Sequence, residues 1–182
     1  MIKKLLLFLL LIFLMGCNSD KLSDSKAKSI INRCLEKNPE QRFVNVNLGE
    51  VTFREINDEL LNNYKKLADQ GFIELTLIKE VIKGWNKRKI FEVALTAKAI
   101  EYVHQAPENG RFATINSFKY EVEKIMEVYE IPSMNKAEVK VNFQASDVTP
   151  FAILSTKNPN QFWVKKLVFT KTNKGWKYCD DI

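Results

Sequence analysis

The chain has very few of the residues that most catalytic and metal sites require. Its 182 residues include one histidine, His104, and three cysteines, and no Gly-x-Ser-x-Gly sequence occurs. A serine or cysteine nucleophile normally needs a nearby base, and metal sites usually draw on several histidine or cysteine ligands. The six glycines are scattered, so no glycine-rich phosphate loop is present. The sequence therefore predicts no catalytic residue, no metal site and no cofactor.

Apolar runs long enough to cross a bilayer, which takes about 20 residues, are also missing. A shorter apolar run from Leu5 to Met15 follows Lys3 and Lys4. A basic start, a short apolar stretch and small residues at its end are typical of a secretory signal. The run ends in Leu14-Met15-Gly16-Cys17, which resembles the lipobox of bacterial lipoproteins.

This resemblance implies that residues 1–16 are a signal peptide and that the Cys17 thiol carries a diacylglyceryl group, with palmitate-type chains. Each buried lipid methylene contributes about 0.8 kcal/mol, so two or three chains would hold the protein on a membrane. Asn18, and not aspartate, follows Cys17. In a Gram-negative lipoprotein this implies the outer membrane, facing the periplasm. The alternative is an ordinary signal peptide with a chance cysteine.

The charge of the chain is mildly basic, with a formal net charge of +6. An exported protein meets no nucleic acid, but it does meet anionic lipid headgroups and cell-wall polymers. We therefore expect a membrane contact through the lipid anchor and an envelope protein or glycan as partner, and no nucleic acid.

Two cysteines, Cys34 and Cys179, remain once Cys17 is acylated. In an oxidising compartment they can form a disulfide; the alternative is two separately buried thiols. A Cys34–Cys179 bond would hold the first helix against the last strand. It would then favour one interlocked body over two independent domains.

The apolar periodicity predicts an α+β fold, with N-terminal helices and a β-hairpin followed by a C-terminal antiparallel sheet. Residues 17–24 form a lipidated tether, residues 25–107 the helical segment and residues 111–182 the sheet. We expect a short helix capped by Thr96 and a strand that resumes at residues 151–154. We also expect four residues to share one strand face: Tyr120, Val122, Met126 and Val128.

Two further resemblances concern the fold. The order helix, Gly71, strand, basic turn, strand and Leu95-Thr96-Ala97-Lys98 resembles the wing of winged-helix domains over residues 55–103. It departs from that pattern in having one clear helix before the wing, and export excludes the family's usual DNA-binding role. Residues 118–182, which end in Gly-Trp-Lys-Tyr, are similar to the sheet of cystatin-like and nuclear-transport-factor-like domains.

A basic cluster surrounds the predicted hairpin turn and fits an anionic surface, because indole favours the membrane interface and lysine favours negative headgroups. The alternative is that lysines on an edge strand prevent edge-to-edge pairing, with the tryptophan packed on the core. The candidate residues are Lys79, Lys83, Trp85, Lys87, Arg88 and Lys89.

Three functions are consistent with these patterns. The first is a non-catalytic, membrane-anchored envelope lipoprotein of a binding or accessory type. The second is a carrier of a small apolar ligand, with some of the twelve phenylalanines lining a pocket. The third is an envelope-acting hydrolase, which would require a cleft that gathers Glu121, Glu127 or Asp147.

Overall fold

The computed structural model describes residues 21–54, 58–83, 86–107 and 110–179. These residues form helices α1 (Asp24–Lys37) and α2 (Asp58–Asp69) and several strands. The strands are β1 (Gln41–Asn47), β2 (Gly49–Arg54), β3 (Ile73–Lys83), β4 (Asn86–Leu95), β5 (Val103–Gln105), β6 (Phe112–Ile131), β7 (Lys136–Ser146), β8 (Trp163–Thr172) and β9 (Gly175–Lys177).

The strands form two antiparallel sheets. The large sheet has the order β1-β6-β7-β8-β9, with β5 paired to β6, and the small sheet has the order β2-β4-β3. β6 is the longest strand and joins the two parts of the large sheet. Its first part pairs with β1, and its residues from Lys119 to Ile131 pair with β7. The α+β prediction is confirmed in part: a helix begins the described chain, but most of the fold is antiparallel sheet.

Helix α1 and the inner face of the large sheet enclose the first core. Ser23 caps the helix, since its hydroxyl oxygen accepts the Lys26 amide at 3.3 Å. The apolar face of α1 includes Ala27, Ile30 and Ile31, which are buried against β6, β7 and β8. The alternation of β7 was predicted from its sequence, and its burial pattern confirms the buried face from Ala137 to Phe143. On the face predicted to be solvent-exposed, however, Asn142 is buried, where it donates a hydrogen bond to Glu123.

Helix α2 and the small sheet form the second core, together with the first part of β6. Phe53, Phe91 and Val93 of the small sheet are buried there with Ala113 and Ile115 of β6. The end of α2 was also predicted correctly, because Gly71 adopts a left-handed conformation with φ of +75°. The second core therefore joins the small sheet to one end of the large one.

A β-bulge at Ser117 allows β6 to serve both cores. Arg42 pairs with Phe118 and Phe43 pairs with Asn116, so that Ser117 has no partner residue on β1. A one-residue shift moves the following side chains to the opposite face of a strand. Residues before the bulge consequently face the second core, and Phe118 and Tyr120 after it face the first.

Two more bulges follow in β6, at Glu123 and Met126, where the register against β7 shifts. Each bulge adds one residue between side chains that face the core, so the spacing is three residues and not two. Ile125 and Val128 accordingly pack against the first core. The prediction that Met126 shares the buried face is therefore wrong, since its side chain is 46% exposed. A bulged strand bends and twists more strongly than a regular one, which curves β6 around α1.

Two short elements also differ from the predictions. Residues Pro150–Leu154 form a 3-10 helix, not a strand, and Phe151 within it is buried in the second core. Thr96 precedes a 3-10 helix, Ala97–Tyr102, but its hydroxyl does not cap that helix. It donates instead to the Gly71 carbonyl at 2.8 Å, because the end of α2 lies beside it.

Cys34 and Cys179 are joined by a disulfide bond, with their Cα atoms 6.2 Å apart. The bond links α1 to the segment that follows β9. It closes a loop between residues 145 positions apart in the sequence, which includes the second core and most of the first.

Candidate binding surface

The hairpin of β3 and β4 extends beyond the rest of the small sheet. β2 pairs with β4 as far as Arg54 opposite Arg88, whereas β3 pairs with β4 as far as Lys83 opposite Asn86. Among the described residues, the last two pairs of the hairpin, Ile82 with Lys87 and Lys83 with Asn86, therefore have no third strand beside them. We call residues 77–83 and 86–90 the distal hairpin.

Strand β3 of the distal hairpin exposes four large aliphatic side chains. Leu77 is 51% exposed, Ile78 45%, Val81 39% and Ile82 68%. Among the described residues β3 pairs only with β4, so the opposite edge of β3 is unpaired. A group of large apolar side chains exposed on one strand marks an interaction site more often than a single exposed apolar residue does.

A bulge explains why aliphatic residues are exposed on both faces of the distal hairpin. Leu77 lies opposite Phe91 and Lys79 lies opposite Ile90, so Ile78 is the extra residue. After Ile78 the side chains of β3 alternate between the two faces again, but each lies on the face opposite to the one that the pattern before the bulge would give it. Val81 therefore lies on the outward face with Arg88, its partner across the hairpin, and Ile82 lies on the face that carries the core residues nearer the base.

The charges on the outward face of the small sheet are segregated along the hairpin. Near its base Glu50 lies directly opposite Glu92, and toward its tip Arg54 lies directly opposite Arg88. All four side chains are exposed. Like charges placed directly across a strand pair destabilise a sheet, whereas opposite charges stabilise it by about 0.2–1 kcal/mol. This arrangement is thus unfavourable within the isolated chain.

Within the described residues, one ion pair is formed in the distal hairpin, from Lys87 Nζ to Glu80 Oε1 at 3.5 Å. No described carboxylate forms an ion pair with Arg54 or Arg88. The tip end of the outward face therefore carries a net positive charge.

The sequence-predicted basic cluster falls mostly on this surface. Lys79, Lys87 and Arg88 are exposed and Lys89 is partly buried. The side chain of Lys83 and the whole of Trp85 lie outside the described residues.

The positions of these residues bear on the alternative explanation for the cluster. Edge protection requires the charges to lie on an edge strand. Arg88 and Lys89 instead lie on β4, the central strand of the small sheet, while the edge strand β3 carries the exposed aliphatic residues. Edge protection therefore accounts for Lys79 but not for the two central residues.

A small hollow lies beside the distal hairpin, where α2 begins. Its volume is about 120 Å³. Three basic residues line it around one carboxylate; the lining comprises Phe53, Arg54, Asp58, Leu61, Lys87 and Lys89.

The chain enters the fold at the other end of β6. The Leu22 amide donates to Glu130 Oε1 at 2.7 Å, near the end of this strand, while Ile115 near its beginning belongs to the second core. At about 3.3 Å per residue, the strand is up to about 50 Å long between these two points. The predicted lipidation site, Cys17, lies outside the described residues, five positions before Leu22.

A second, larger cleft of about 530 Å³ lies between α1 and β6. Lys28 Nζ donates to the Glu123 carbonyl at 2.9 Å, and Gln144 donates to Glu121 at 2.7 Å. The lining is polar for the most part, so it provides no support for the apolar-carrier hypothesis.

The carboxylates proposed for a hydrolase are not brought together in this cleft. Glu121 lines it, but Glu127 and Asp147 do not. Asp147 instead forms an ion pair with Lys119 at 3.0 Å, and Glu123 accepts a hydrogen bond from Asn142.

His104 is exposed on β5, and its ring lies 4.2 Å from that of Phe43. No group of three or more potential metal ligands occurs within the described ranges. In the same ranges, no helix combines the length and apolar character needed to cross a membrane.

Comparison with known proteins gave no match: no family model, curated protein or solved structure is similar to this chain. The likenesses to a lipobox, to a winged-helix wing and to cystatin-like or nuclear-transport-factor-like sheets therefore stay predictions.

Sequence reasoning missed the four exposed aliphatic residues of β3 and the pairing of Arg54 with Arg88. The apolar run of β3 indicated a strand but not which end of it leaves the core. The signal that could have found Arg54 was the charge reversal along β2, which runs from Glu50 to Arg54.

Proposed function

We propose that this chain is a lipid-anchored protein of a bacterial envelope, with a non-catalytic binding or accessory role. The proposal joins two features: acyl chains on Cys17 hold the protein at a membrane, and the distal hairpin binds a component of the envelope. It is supported by Leu14-Met15-Gly16-Cys17 in the sequence and by the shape and charge of the hairpin.

The observation that carries the binding role is the exposure of Leu77, Ile78, Val81 and Ile82 on an unpaired edge strand. A long apolar edge strand without a partner is a site for association, and proteins normally shield it. The small sheet that carries it packs in the second core with the beginning of β6, whereas Leu22 contacts Glu130 near the end of that strand. This position would leave the hairpin free to bind while the chain is anchored.

The anchor is tested by growing cells with radiolabelled palmitate. We expect label in the purified protein and none in the Cys17→Ser variant, because the acyl chains are attached to the Cys17 sulfur. Unlabelled wild-type protein would rule out the anchor.

The binding surface is tested by placing a photo-crosslinking amino acid at Ile82 in intact cells. Val168 is a matched control, because it is also an exposed aliphatic strand residue, at 51%, but lies on β8. We expect a discrete adduct from position 82 that is absent at position 168 and lost in the K79Q/R88Q variant. Equal yields at the two positions would contradict the proposal.

A further inference from the structure

We propose that the component bound by the distal hairpin is an anionic phospholipid bilayer. This inference rests on the proposed function, since it names the partner of the same surface. The aliphatic side chains of β3 would enter the boundary between headgroups and acyl chains, and the basic side chains around them would contact lipid phosphates.

Charge complementarity favours an anionic partner. Two described carboxylates, Glu80 and Asp58, lie on or beside the distal hairpin, against five described basic residues: Arg54, Lys79, Lys87, Arg88 and Lys89. Placing Arg54 opposite Arg88 is costly in the isolated chain. Phosphate groups beside the two guanidinium groups would remove that cost, because arginine binds phosphate through paired hydrogen bonds.

The distribution of the aliphatic residues favours a bilayer over a protein or an anionic polymer. Val81 and Ile82 are exposed on opposite faces of the distal hairpin, where the described part of the sheet changes from three strands to two. A flat protein surface would cover one of these faces, and a polyanion would bury neither. A lipid surface can surround the end of the hairpin and bury both, while the basic residues remain near the headgroups.

The unpaired edge of β3 limits how deep the hairpin can enter. Unsatisfied backbone groups cost several kcal/mol each in hydrocarbon. The hairpin therefore lies at the level of the headgroups, where water and phosphate oxygens can pair with the backbone of β3. The 120 Å³ hollow lies beside this level. Arg54, Lys87 and Lys89 outnumber the one carboxylate in its lining, Asp58, so the hollow can accept a headgroup phosphate.

Because the described residues of both cores begin at Leu22, residues 18–182 contain all of them without the predicted anchor, and we call this segment the body. This body is tested by co-sedimentation with vesicles of phosphatidylcholine and phosphatidylglycerol in a roughly 2:1 ratio, and with vesicles of phosphatidylcholine alone. We expect binding to the anionic vesicles only, and binding that weakens as salt is raised.

Two variants test the two contributions. The K79Q/R88Q variant loses two positive charges. Each basic residue near an anionic membrane strengthens binding about fivefold, so the double variant should bind about 30-fold more weakly. Replacing aliphatic residues in V81S/I82S should weaken it about tenfold. The matched controls are K124Q/K140Q and V164S/V168S, which alter exposed residues of the large sheet and should change binding by less than about twofold.

Absence of binding to anionic vesicles would overturn the inference, as would equal binding to neutral vesicles or equal losses in K79Q/R88Q and K124Q/K140Q. If position 82 forms a protein adduct in cells and the body does not bind vesicles, the bilayer is the wrong partner and the proposed function stands. If neither an adduct nor vesicle binding is found, both proposals fail.

Discussion

Tyr64 joins helix α2 to the end of strand β1 through a single hydrogen bond. The Asn47 amide donates to the phenol oxygen of Tyr64 at 2.9 Å, and the Tyr64 side chain is almost fully buried in the second core. Burial raises the pKa of Tyr64, and this effect exceeds the opposing effect of the amide. The residue is therefore held in its neutral form.

Replacing Tyr64 with phenylalanine should lower the free energy of unfolding by about 1 kcal/mol at neutral pH, because the Asn47 amide loses its partner. Urea unfolding followed by circular dichroism measures this change. Tyr129→Phe is the matched control: Tyr129 is 60% exposed, and its hydroxyl should contribute little.

The difference in unfolding free energy between wild-type protein and Tyr64→Phe should depend on pH. Because the pKa of Tyr64 is higher in the folded state, the unfolded state ionises first as the pH rises above about 10. Wild-type stability should then fall more steeply than that of Tyr64→Phe, so the difference between them narrows. A difference that stays constant up to pH 11 would contradict this assignment.

At the scale of elements, the bulge at Ser117 decides which core each half of β6 serves. Deleting Ser117 should turn either the residues before it or those after it toward solvent. Exposing Phe118, Tyr120 and Val122 would cost about 5 kcal/mol or more, which is comparable to the whole stability of a domain. We expect the deletion variant to lose its cooperative unfolding transition.

Deletion of Lys157 is the control for this experiment, since it lies exposed in the loop between the 3-10 helix Pro150–Leu154 and β8. It shortens the chain by the same amount without shifting a paired strand. Retention of cooperative unfolding in the Ser117 deletion would show that β6 can re-register.

The elements that sequence reasoning predicted well are those with an unbroken period. The helix around Ile30 and Ile31, the alternation of β7 and the cap at Gly71 all follow from local pattern. β6 was not predicted at its full length, because each bulge resets its period and Met126 falls on the exposed side.

The candidate site was predicted in part. The basic residues Lys79, Lys87 and Arg88 could be found from their sequence cluster, because charge is visible without a fold. The exposure of Ile82 could not, because it depends on how far β3 extends beyond β2, which is a property of pairing between strands distant in the chain.

At the scale of the whole molecule, the Cys34–Cys179 bond links the first helix to the end of the described chain. In the chain-entropy model a loop of this length contributes up to about 5 kcal/mol, because it restricts the unfolded state. Reduction, or the variant C34A/C179A, should therefore lower the free energy of unfolding by about 3–5 kcal/mol.

Urea unfolding of oxidised and reduced protein measures this effect, with the oxidation state verified by mass spectrometry. The C34A/C179A variant treated with the same reductant is the control, since it has no disulfide to reduce and its stability should not change. Equal stability of the oxidised and reduced forms would show that the bond restricts the unfolded chain less than its length implies.

The shared strand β6 has a mechanical consequence for a protein held at both ends. Tension between a tether at Leu22 and a bound hairpin would act on the segment that joins them, which contains α1, β1, β2 and α2. Within this segment β1 is paired along its whole length with β6, through hydrogen bonds that lie across the strand axis. A pull along β1 would load these hydrogen bonds together and not one after another, so it should meet more resistance than peeling β9 from β8.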